Sequence, residues 1–141
     1  MTETIVEPRK TPGIVIFVAI LNFLSTGFFF LLSVLSVMVL VFGNIMGAYD
    51  FVTRQITQYT QNTNFSLGLN FVFVILLLVS LSFIVFFFLM GIGLLKGSRL
   101  AWYFQVALSV LGLMGFPFGT VLNVLILIFF FQSSVREYFK V

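Results

Sequence analysis

No charged residue occurs between Thr11 and Tyr49, between Gln55 and Leu95, or between Leu100 and Val135. A soluble domain covers its surface with about 25% charged residues; this chain of 141 residues has 8%. A helix needs roughly 20 apolar residues to cross the hydrocarbon core of a bilayer. The three uncharged stretches can therefore hold several crossings, and the chain reads as an all-α integral membrane protein of the cell membrane.

The first apolar run, Gly13–Phe42, follows Arg9 and Lys10. A signal peptide also places basic residues before an apolar core, but that core is about 7–15 residues long. This run is twice that, so a retained helix is expected over 13–43. At about 1.5 Å per residue it exceeds a core of ~30 Å and must tilt or project. A second long helix is expected over 67–95, ending in Gly-Leu-Leu-Lys-Gly where charge returns.

The third stretch holds Phe116-Pro117-Phe118-Gly119 near its middle. Proline lacks a backbone donor and clashes with the preceding turn, and glycine commonly ends helices. Two short helices are expected, 100–116 and 119–135, forming two further crossings or a re-entrant hairpin. The expected architecture is a four-transmembrane-helix bundle with helices 1 and 2 long and helices 3 and 4 short. Residues 1–12 are expected to form a disordered cytoplasmic lead-in and 136–141 a cytoplasmic tail.

Basic residues orient such a bundle, because cytoplasmic loops carry the excess of Lys and Arg. With four crossings, Arg9, Lys10, Lys96, Arg99, Arg136 and Lys140 share one side and only Arg54 lies on the other. Both termini are expected in the cytoplasm. Arg99, Trp102, Tyr103, Arg136 and Lys140 are candidate membrane-interface anchors, since aromatic and basic residues collect at headgroup level. The basic edges would attract anionic headgroups. They form no extended patch that would serve nucleic acid.

The outer segment, 44–66, is rich in Gln, Thr and Asn. Its apolar residues recur at helical spacing through Tyr49, Val52, Ile56 and Tyr59, with Asp50 and Arg54 an i,i+4 pair on the flank. An amphipathic helix is expected to about residue 59, continuing helix 1 or restarting after Gly47. It would lie on the membrane or on its own bundle, or offer Tyr49, Val52, Ile56 and Tyr59 to a partner protein. Asn64-Phe65-Ser66 has the form of a glycosylation acceptor.

The chain has no Cys and no His, which removes thiolate and imidazole chemistry and the usual zinc and haem sites. No expected span carries an ionisable group of the kind that marks proton relays and ion sites. No catalytic, cofactor or metal site is expected. The spans instead carry isolated amides, among them Asn22, Asn70, Gln105 and Asn123. Depth pairs Asn22 with Gln105 and Asn70 with Asn123 across helices, a common form of polar packing in membranes. Asn22, Ser25, Ser33 and Ser36 share a face of helix 1, as Gln105, Ser109 and Gly112 do on helix 3, so helices 1 and 3 are expected to pack closely. Phenylalanine occurs 21 times, with triplets at 28–30, 86–88 and 129–131. Successive helical residues point about 100° apart, so each triplet turns at least one ring toward lipid or a partner.

Residues 91–139 run Gly91-Ile-Gly-Leu-Leu-Lys-Gly, Ala101-Trp-Tyr, Gly115-Phe-Pro-Phe-Gly-Thr-Val-Leu, then an apolar run closing in Val135-Arg-Glu-Tyr-Phe139. This pattern resembles a widespread group of small bacterial and archaeal membrane proteins with no established activity. The resemblance implies a prokaryotic source and four spans, and carries over no functional residues. The Phe-rich first hairpin and its outer segment fall outside it.

The function these readings favour is a non-catalytic accessory or scaffold subunit that meets other membrane subunits or its own copies. The alternative is a small homo-oligomeric channel or carrier for neutral or lipophilic solutes.

Overall fold

The structure, a computed structural model, describes residues 10–47, 51, 54, 65–115 and 118–141, with the side chains of 44, 65–67 and 118 left aside. Five helices have bounds within the described residues: α1 Gly13–Ile45, α2 Phe65–Leu95, α3 Arg99–Gly112, α4 Phe118–Phe130 and α5 Ser133–Phe139. Two are long and apolar enough to cross a membrane, over Gly13–Gly43 and Gly68–Leu95. The broken pair α4–α5, bent by 74°, passes the same test only when taken together.

The chain divides into two compact units: Met1–Phe23 with Phe88–Val141, and Leu24–Phe87. In the first, Val15, Val18 and Ala19 of α1 join Leu94, Ala101, Trp102, Ile126, Phe130, Val135 and Phe139 in one buried core. Close approach needs small residues. A Cβ on Gly93 would stand 2.9 Å from the Cβ of Ala101, and one on Gly91 would stand 2.8 Å from the Phe23 ring. In the second unit, the rings of Phe29, Phe83 and Phe87 stack with centroids 4.8–5.9 Å apart. Such aromatic pairs contribute about 0.5–1.5 kcal/mol beyond area burial. Each Phe triplet also turns rings outward: Phe28, Phe30, Phe88, Phe129 and Phe131 are exposed.

α2 ends in a Schellman turn. Gly97 has φ +67°, its N–H donates to Leu94 O, and Ser98 N–H donates to Gly93 O. This 5→2 and 6→1 pairing satisfies carbonyls that the helix end would orphan. The chain therefore reverses at once into α3. The glycines at 93 and 97 have G-x-x-x-G spacing but serve different ends, since Gly93 admits Ala101 and Gly97 makes the turn.

The expectation for helix 4 needs correction. The helix over 119–135 is two helices, because α4 stops at Phe130 and α5 begins at Ser133 after Gln132 adopts extended backbone. Neither proline nor glycine marks this break. The Phe130 carbonyl released there accepts a hydrogen bond from Trp102 Nε1 at 3.2 Å. A backbone polar group in an apolar setting must find a partner, and the indole provides it.

Candidate functional site

Several polar side chains of the first unit gather on one seam. Asn22 Nδ2 on α1 donates to Gln105 Oε1 on α3 at 3.0 Å and to the Val18 carbonyl at 2.9 Å. Both residues are buried. One turn beyond Gln105, the Ser109 hydroxyl is fully buried and has no hydrogen-bond partner. One turn further, Gly112 faces α4: a Cβ there would lie 2.7 Å from Asn123 Cγ and collide with its amide nitrogen. Asn123 Nδ2 donates to Gly119 O at 2.7 Å, and Thr120 Oγ1 donates to Leu113 O at 2.8 Å. The same residues thus fix α1 on α3 and fold α3 back onto α4.

The structure brings Asn22 and Gln105 together, with Ser109 and Gly112 on the same face of α3. Asn123 meets Gly112 and its own helix, while Asn70 belongs to α2 in the second unit. Ser33 and Ser36 of α1 are buried: Ser33 Oγ donates to Phe30 O and Ser36 Oγ to Leu32 O, both at 2.8 Å. Such back-bonding is how Ser rides in an apolar helix.

Trp102, an expected interface anchor, is only 7% exposed and packs in the core. Its ring meets Tyr103 and Phe131 edge-on. A Trp beside a basic connection reads as belt-like, but the broken end of α4 supplies its N–H with an interior acceptor. Tyr103 is exposed, as are Arg136 and Lys140, and Arg99 is exposed at the start of α3. Arg99 and Lys140 share a cleft with Lys96 and Tyr138. Tyr49, Val52, Ile56 and Tyr59 lie outside the described residues. Beside them, Phe51 and Arg54 are helical, and Phe51 N–H donates to Gly47 O.

Two features escaped sequence reasoning. Ser80, fully buried in the second unit with its hydroxyl unpaired, sits in an apolar run whose pattern singles out no face. Tyr138 donates to the Leu95 carbonyl at 2.5 Å and lies 3.3 Å from Thr11 Oγ1, joining three segments far apart in sequence.

No known protein family, curated protein or solved structure matches this chain.

Proposed function

We propose that this chain is a non-catalytic integral membrane protein, an accessory or scaffold subunit of a larger membrane complex, with four crossings and both termini in the cytoplasm. The observation that carries the reading is apolar surface left uncovered by the chain itself. Only 6% of the most apolar stretch of α2 is buried, against 22% for α1. Lipid covers such surface, and so does a partner helix. The polar groups support the same reading. Asn22, Gln105, Asn123 and Thr120 are spent on each other and on backbone, and α1, α2 and α4 carry no ionisable side chain. The resemblance over 91–139 supports four spans and a prokaryotic source.

A second reading, a homo-oligomeric channel for neutral solutes, draws on one observation: the hydroxyls of Ser80 and Ser109 are buried without partners. Gentle solubilisation followed by mass spectrometry of co-purifying chains separates the two. The subunit reading expects a reproducible, stoichiometric partner of different sequence. Recovery of this chain alone as a closed oligomer, with liposome flux abolished by Asn22→Leu, overturns it.

A further inference from the structure

Where α2 hands over to α3, a cleft of about 410 Å³ opens between the Schellman turn and the end of α5. This is within the range of small-ligand pockets, about 300–1,000 Å³. Its charged lining is wholly basic: Lys96, Arg99 and Lys140. The single acidic side chain among the described residues, Glu137, lines a neighbouring groove with Lys10 and Ser134. Three like charges around one cleft repel one another, and an anion between them reverses the sign of that interaction.

The cleft is built by the fold. Gly97, at φ +67°, brings Lys96 and Arg99 to either side of a two-residue connection. Lys140 holds the left-handed conformation, φ 58°, as the closing residue of α5. Its N–H donates to Glu137 O and that of Val141 to Arg136 O, a second Schellman turn that sets Lys140 at the rim. Tyr138 pins the wall through Leu95 O and Thr11. The cleft also takes in the start of α3, a helix of 14 residues whose N-cap, Ser98, makes no side-chain capping bond. The first-turn N–H groups of a helix favour negative charge.

We propose that this cleft binds a phosphate group. Arginine matches phosphate oxygens with paired N–H donors, and lysine adds point charge. The ligand's source is an anionic phospholipid headgroup or a soluble phosphate. The apolar run of α2 ends at Leu95, one residue before Lys96, which sets the cleft where a span meets headgroups.

The test uses the full chain in nanodiscs and in detergent, with Arg99→Gln compared against Arg136→Gln. Both remove one positive charge from an exposed side chain, but Arg136 does not line the cleft. Native mass spectrometry of retained phosphatidylglycerol against phosphatidylcholine reads the lipid arm. Thermal unfolding with added inorganic phosphate reads the soluble arm. A charge-assisted hydrogen bond contributes about 1.5–3 kcal/mol, so Arg99→Gln is expected to weaken binding about tenfold or more. Arg136→Gln is expected to change it less than about fivefold, the diffuse attraction of one surface charge. Lys96→Gln gives a second reading if Arg99→Gln does not fold. Phosphatidylglycerol retention without a phosphate shift assigns the site to a headgroup; a phosphate shift abolished by Arg99→Gln assigns it to soluble phosphate. Equal losses for Arg99→Gln and Arg136→Gln, or no binding in either arm, overturn the proposal.

Discussion

The side-chain amide of Asn22 serves two acceptors, the Val18 carbonyl one turn earlier on α1 and Gln105 Oε1 on α3. The first bond satisfies the amide within its own helix; the second ties α1 to α3. Interhelical hydrogen bonds in membranes average ~0.6 kcal/mol and reach ~1.7. A double-mutant cycle of Asn22→Leu and Gln105→Leu, read by reversible unfolding in detergent or bilayer, is therefore expected to show coupling of about 0.6–1.7 kcal/mol. The double variant loses less than the sum of the singles, because each single leaves a buried amide without its partner. Additive losses mean that the two side chains do not act as a pair.

Gly112 offers a sharper steric test. An added methyl would occupy the space of the Asn123 amide, which is itself held by Gly119 O. Overpacking of this kind costs about 1–3 kcal/mol, so Gly112→Ala is expected to lower the unfolding midpoint clearly. Gly27→Ala is the control. A Cβ there meets nothing within 4 Å, and helix propensity favours Ala by up to about 1 kcal/mol. Adding Asn123→Ala to Gly112→Ala is expected to recover part of the loss.

These two sites show what could be read before folding. Asn22 and Gln105 stand out because an amide in an apolar helix must find a partner, and depth limits the choices. Gly112 follows from its place one turn beyond Ser109 on the same face. Helix type and the approximate positions of α1 and α2 follow from the length of their apolar runs. The break at Phe131–Gln132 was not legible in full, because the group that takes up the freed Phe130 carbonyl is distant: Trp102, 28 residues earlier. Local sequence marks the break only by Gln132, Ser133 and Ser134, with no proline, glycine or charge before Arg136, and local propensity contains no term for that partner. The basic cleft was half legible: its charges were visible, but the left-handed turn at Lys140 that completes it was not.

Trp102 is the only tryptophan in the chain, so its fluorescence reports one environment. Buried in the core with its N–H bonded, it is expected to emit at short wavelength. Quenching by aqueous iodide and by brominated lipid should both be weak. A belt residue would be quenched strongly by brominated lipid, and that result would place the ring outside the core. Trp102→Phe keeps a ring but leaves the Phe130 carbonyl unpaired, with an expected cost of about 1–3 kcal/mol.

Gly97 and Lys140, both left-handed, make opposite predictions. Gly97→Ala puts a side chain at φ +67° and 3.2 Å from the Tyr138 carbonyl oxygen. The conformation alone costs about 1–2 kcal/mol. Lys140→Gly removes that strain at φ 58°, offset by about 0.4–1 kcal/mol for glycine's freer unfolded chain. Thermal unfolding in one detergent is expected to fall for Gly97→Ala and to hold or rise for Lys140→Gly. Phosphate or headgroup binding should fall in the latter, which separates stability from ligand affinity at one position.

The short helices decide the topology. α3 has 14 residues and α4 has 13, so each is about 20 Å long against a hydrocarbon core of ~30 Å. Four crossings then require a locally thin bilayer near this hairpin. A chain without cysteine lets single introduced thiols report their side. Met114, 85% exposed beside the α3–α4 turn, and Ser134, exposed on α5, are the informative positions. With four crossings, Met114→Cys reacts with an impermeant maleimide only from outside and Ser134→Cys only from the cytoplasm. Thermal stability should also be higher in short-chain lipid than in long-chain lipid, since thinning then costs less. Labelling of both positions from the cytoplasm makes the hairpin re-entrant and leaves α1 and α2 as the only crossings. Both termini stay on one side in either case, so the Met114 label alone separates the two topologies.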